Sequence, residues 1–138
     1  MNAFINTPVT LEVGERAVFQ GINSVSRGCW NENGGWLFAP QMTGQFSLLK
    51  PGRYLVQFSA QVTADAAGVV ELTLQNAGSP VLGTEMAETI AAAADVATIG
   101  TAAEIFVPVH GTAILTVENT GTIPVTINSG SIVLNRIA

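Results

Sequence analysis

The stretch Arg53-Tyr54-Leu55-Val56-Gln57-Phe58-Ser59-Ala60-Gln61-Val62 constrains this chain more than any other. Tyr54, Val56, Phe58, Ala60 and Val62 fall on one side of a period of two, and Arg53, Leu55, Gln57, Ser59 and Gln61 on the other. Successive side chains of a β-strand point to opposite faces, so this alternation specifies a strand with one face in a core. Lys50-Pro51-Gly52 just before it reads as a turn, because proline fixes φ at the first corner and glycine accepts a positive φ at the second. Gln45-Phe46-Ser47-Leu48-Leu49 reads as the strand that enters this turn.

The pattern recurs downstream. Val70, Leu72 and Leu74 share one side of the segment Val69 to Gln75, with Glu71, Thr73 and Gln75 opposite. Asn76-Ala77-Gly78-Ser79-Pro80 is a turn, and a strand is expected from Val81 to Ala87. Thr112 to Glu118 alternates again and is closed by Asn119-Thr120-Gly121. Ile123 to Ile127 alternates with Pro124 inside it, which a ladder tolerates only at an edge or a bulge. Ser131 to Ile137 is the last strand. Short strands separated by Gly, Pro, Asn and Ser turns specify an all-β sandwich or barrel. Residues 85–97 allow two readings. Their Ala, Glu and Met are good helix formers, and Ile90, Ala93, Ala94 and Ala97 fit helical spacing. Ile99, Ala103, Ile105 and Val107 then alternate at period two, which favours a strand, an Ala-rich loop near 89–95 and a long strand after it.

Composition narrows the function classes. The 138 residues are 48% apolar and 11% charged, where a typical domain is about 25% charged. This is enough apolar material for one core and far too few charges for a disordered chain. We read a single domain over 1–138, with residues 1–14 as an arm or edge strand. The net charge of −5 lacks the basic footprint of a nucleic-acid binder. No run of about 18 apolar residues is present, so no membrane insertion is expected. The start, Met1-Asn2-Ala3-Phe4-Ile5, lacks the basic and apolar pattern of a secretory signal. Cytoplasmic synthesis and assembly, with a final place on a virion or other external surface, is the expected localisation. Cys29 is the single cysteine and His110 the single histidine, far apart in sequence. That excludes an intrachain disulfide and leaves too few soft ligands for a zinc site. Asp65 and Asp95 are isolated, with no calcium-loop spacing around them. No cofactor, metal or catalytic residue is expected: Glu71, Glu104 and Glu118 each stand amid Thr or Ala on a strand face.

Two features point outward. Leu55 interrupts the polar side of its strand, Phe106 lies opposite Ile105 and Val107, and Ile132-Val133-Leu134 places apolar groups on both faces. A sandwich has one inner face per sheet, so apolar groups on the outer face call for a cover, most economically another copy of the chain; scattered exposed apolar residues are the plainer reading. Trp30 and Trp36 flank Asn31-Glu32-Asn33-Gly34-Gly35. Aromatic rings beside Asn31 and Asn33 suit stacking on a surface glycan; that both tryptophans anchor a hairpin to the core is the plainer reading.

Phe46 to Phe58, with its strand, Pro51-Gly52-Arg53-Tyr54 and strand, resembles the signature of the tumour necrosis factor and complement globular-head superfamily. Val70 to Thr84 is similar to its next two strands, although Ala77 separates Asn76 from Gly78 and Leu82 stands where a second proline is usual. The tail Gly130 to Ala138 resembles the closing strand of collagen-like exosporium glycoproteins and related bacteriophage structural proteins. The likeness covers roughly residues 45–138. It implies a jelly-roll β-sandwich of about ten antiparallel strands that forms a homotrimer. In that family the sheet holding the first, last and Pro-Gly-x-Tyr strands faces the threefold axis. Leu55, Gln57, Ser59, Phe106 and either Ile132 or Val133 are then the trimer-interface candidates. No Gly-x-y repeat precedes the domain, so the head itself is expected to supply the association energy. The expected function is a non-enzymatic structural or surface-display trimer, such as a virion decoration, fibre or baseplate-associated head. Its partners would be itself and a capsid or tail protein; the alternative is a carbohydrate- or receptor-binding module.

Overall fold

The computed structural model describes residues 2–24, 44–48 and 50–137, with the backbone alone at 22–24. Eleven strands are described: β1 (Asn2–Ile5), β2 (Val9–Leu11), β3 (Gly21–Ser24), β4 (Phe46–Leu48), β5 (Gly52–Thr63), β6 (Gly68–Asn76), β7 (Ser79–Pro80), β8 (Met86–Ile90), β9 (Ala97–Val107), β10 (Ala113–Asn119) and β11 (Val125–Arg136). They form two antiparallel sheets. The front sheet runs β3-β1-β11-β5-β9, with β2 also paired to β11. The back sheet runs β4-β10-β6-β7, with β8 also paired to β6. No described helix is long and apolar enough to cross a membrane.

Alternation builds the core. Tyr54, Val56, Phe58, Ala60 and Val62 of β5 are buried and face Val70, Leu72 and Leu74 of β6 and Leu115 and Val117 of β10 across the sandwich. Phe19 joins the sheets: its ring meets Phe46 edge-on at 5.2 Å and Phe58 edge-on at 6.2 Å. Each such pair adds about 1 kcal/mol beyond the area it buries. The Tyr54 hydroxyl donates to the Lys50 carbonyl at 2.7 Å, so a fully buried ring carries its polar tip back to the Pro51-Gly52 turn. From the far side, the Arg136 guanidinium donates twice to the Pro51 carbonyl, at 3.0 and 2.6 Å.

β11 holds the main departure from the sequence reading. Ile123–Ile127 and Ser131–Ile137 read as separate alternating segments, but from Val125 onward they are one twelve-residue strand on β5. The register slips between Ile127 and Ser129, so Asn128 is an extra residue without a partner across the ladder. An extra residue reverses the alternation beyond it. Val125 and Ile127 therefore face the core before the bulge, and Ile132 and Leu134 face it afterwards. Pro124 lies just outside the strand, where its missing N–H costs the ladder nothing.

Two other segments differ in detail. The strand expected from Val81 to Ala87 is split, because residues 81–85 turn between β7 and β8. Thr84 donates to the Val81 carbonyl through its hydroxyl at 2.6 Å, and Gly83 adopts φ +83°. The helix-compatible stretch pairs with β6 as β8, and residues 91–96 form the Ala-rich loop. Met86 and Ile90 are buried there, and pairing to a neighbouring strand overrides intrinsic helix preference. The N-terminal residues hold an inner place in the front sheet, since β1 lies between β3 and β11.

Candidate functional site

The outer face of the front sheet gathers most of the sequence-derived candidates. Register assigns them in rows across β11, β5 and β9. Asn135, Leu55 and Glu104 form one row, Val133, Gln57 and Ala102 the next, then Ser131, Ser59 and Gly100, then Ser129, Gln61 and Thr98. Arg53 stands beside Phe106 at the end where β5 begins, and the Ile137 amide donates to the Arg53 carbonyl at 2.8 Å. On β1, Asn2 lies opposite Val133 and Phe4 opposite Ser131. All of these point away from the core, because their ladder neighbours Val56, Phe58, Ile132 and Leu134 fill it.

Five of the six interface candidates share this face: Leu55 and Val133 half-buried, Gln57 and Ser59 exposed, and Phe106 66% exposed. Ile132 does not. It is fully buried between the sheets, because the Asn128 bulge sets the phase of β11 so that even-numbered residues point inward. Of the two alternatives, Val133 is the outward one. Trp30, Asn31, Asn33 and Trp36 lie outside the described residues, as does Cys29.

The face is polarised along the strands. Exposed apolar groups gather where β5 begins: Phe106 on one side of Arg53 and Ile137, at 53% exposure, on the other, followed by Leu55 and Val133. Toward the other end the side chains are small and hydroxylated. Ser59, Gln61, Thr98, Ser129 and Ser131, with Ile5, Ala60 and Gly130, line an open concavity of about 430 Å³. None of these lining residues is an acid or a base.

Charge is distributed unevenly. Among the described residues the face carries one acid and one base, Glu104 and Arg53, whose side chains approach to 3.6 Å. The other described acids lie elsewhere: Glu71, Glu88 and Glu118 on back-sheet strands, and Glu12, Glu15, Asp65, Glu85 and Asp95 in connecting segments. A chain of net charge −5 thus presents one nearly neutral face. Reading the sequence strand by strand placed Arg53 on the polar side of β5 but did not pair it with Glu104, since that pairing depends on the β5–β9 register. Among the described residues no group of three or more His, Cys, Asp or Glu side chains could hold a metal ion. His110 sits exposed in the β9–β10 loop.

Glu71 is held rather than free. The Thr120 hydroxyl donates to its carboxylate at 3.0 Å and shares a 2.7 Å hydrogen bond with the Thr73 hydroxyl. This ties the β10–β11 turn to the back sheet.

Sheet order and register define an antiparallel two-sheet sandwich whose fold is similar to the jelly rolls of complement heads and tumour necrosis factors. The globular domain of zebrafish complement 1qA protein is similar at a TM-score of 0.63 and 14% identity, over 99% of this chain and 97% of that one. The Eiger TNF of S. frugiperda is similar at a TM-score of 0.63 and 15% identity, over 100% of this chain and 92% of that one. At such identities the likeness is one of fold. No family model matches the chain. No curated protein matches it in sequence.

Proposed function

We propose that the protein is a non-enzymatic module that works as a homotrimer, closing on itself through the outer face of its front sheet and presenting its loops outward. The observation that carries this reading is the face itself. Among the described residues it is the strand surface that combines an exposed phenylalanine, half-buried Leu55 and Val133, and balanced charge, in a chain that is otherwise acidic. Apolar groups on an outer sheet face are most economically covered by further copies of the same chain, and like-charged surfaces resist such contact. The complement-head and TNF likeness supports three copies over two. An obligate contact of this kind buries on the order of 2,000 Å² or more. The concavity on the face offers hydroxyls and an amide and no acid–base pair, which supports a mechanical or recognition role over catalysis.

Leu55→Asp and Phe106→Asp test the reading. Each buries an unpaired carboxylate in the assembly and leaves the core untouched, so each should yield a folded single chain by light scattering. Both variants remaining three-chain particles would contradict it. For the setting we propose a virion surface; the motive is the resemblance read in the sequence of residues 130–138 to the closing strand of collagen-like exosporium glycoproteins and their phage relatives. Neighbouring capsid or tail genes would bear this out, and a gene neighbourhood with none would count against it.

A further inference from the structure

We propose that the copies meet through one half of this face, the half holding Arg53, Leu55, Glu104, Phe106 and Val133, and that the Arg53–Glu104 pair inside it is the charge lock that fixes how neighbouring sheets align. The inference rests on the reading of this face as the self-association surface.

The two halves offer a second copy different things. In the half where β5 begins, Phe106 projects with 66% of its surface exposed, diagonal to the half-buried Leu55, with the half-buried Val133 farther along on β11. In the other half the surface recedes into the open concavity of about 430 Å³ lined by Ser59, Gln61, Thr98, Ser129 and Ser131. A receding surface makes no close contact with an opposing sheet, and its hydroxyls keep better partners in water than against one another. Contact is therefore confined to the apolar half, and the hydroxyl half stays hydrated.

The ion pair lies within the contact half, next to Phe106 and Leu55 in the β5–β9 ladder. In the separate chain its side chains are 62% and 51% exposed, so water screens them and the pair matters little to folding. Covering Phe106 and Leu55 removes that water. A desolvated pair tolerates an opposite charge and strongly resists a like one, so alignment depends on where the two charges of the neighbouring copy fall.

Charge reversal separates the lock from a structural role. Arg53→Glu and Glu104→Arg are made singly and together, with Gln61→Glu as a charge added to the hydroxyl half. Solution mass is followed across a dilution series, and circular dichroism reports folding. Each single reversal is expected to move the dissociation midpoint by roughly tenfold or more. The double swap restores it, and Gln61→Glu leaves it nearly unchanged. If a reversal fails to fold, Arg53→Gln and Glu104→Gln replace it and should weaken association severalfold. A Gln61→Glu variant that dissociates like the reversals, a swap that stays dissociated, or charge-removing variants without effect would overturn the proposal while leaving the interface reading standing. A parent protein that is a single chain at micromolar concentration would remove the interface reading itself.

Discussion

Asn119 is the residue on which most local order converges. Its side-chain amide is 1% exposed and donates to the Leu11 and Ile123 carbonyls, each at 3.0 Å, while its oxygen accepts the Gly121 amide at 3.0 Å. Its backbone donates to Glu15 and accepts from Gly14, both at 2.9 Å. The side chain thus holds the end of β2 and the β10–β11 turn, and the backbone of the same residue holds the segment after β2. Asn119→Ala leaves two carbonyls and an amide without partners and should cost about 3 kcal/mol in urea unfolding, where a loss under about 1 kcal/mol would speak against this role. Ala77 offers the opposite test. It has φ +51° beside Gly78 at +85° in the tight turn joining β6 to β7, a conformation that glycine and asparagine adopt readily and alanine does not. Ala77→Asn should stabilise the protein by about 1 kcal/mol, seen as a higher thermal midpoint; an unchanged or lower midpoint would contradict it.

At the scale of the element, β11 depends on its extra residue. Deleting Asn128 would restore unbroken alternation and turn Val125 and Ile127 away from the core. Exposing two such side chains should cost about 4 kcal/mol, or abolish folding, in chemical denaturation. A deletion variant within about 1 kcal/mol of the parent would show that the bulge does not set the phase. The same strand explains what the sequence made legible. β5, β6 and β10 could be read directly, because each keeps one phase from end to end. β11 changes phase, with apolar positions odd through Ile127 and even from Ile132, and so it resembled two segments. The change of phase was itself the sign of a bulge. β8 was ambiguous because its Ala, Glu and Met favour helix locally, and only its pairing to β6 decides the matter. Outward candidates on β5 and β9 followed from alternation alone. The choice between Ile132 and Val133 needed the bulge, and the Arg53–Glu104 pair needed the register between strands distant in sequence.

Over the whole molecule, charge and apolar surface are shared out unevenly. Apart from Glu104, the described acids stand on the back sheet and in connecting segments, while the front sheet turns outward one ion pair, a row of hydroxyls and a cluster of apolar groups. That division makes sense for a body that shows one side to water and the other to its own copies. Salt should therefore do little to the proposed trimer through long-range repulsion, since this face is close to neutral; a particle that dissociates at low ionic strength would argue against that balance. The most direct test is the mass of the unaltered protein by light scattering behind size exclusion, at micromolar concentration and below. A particle of three chains that holds together on dilution is the expected result, and a particle of one chain at every concentration would contradict self-association through this face.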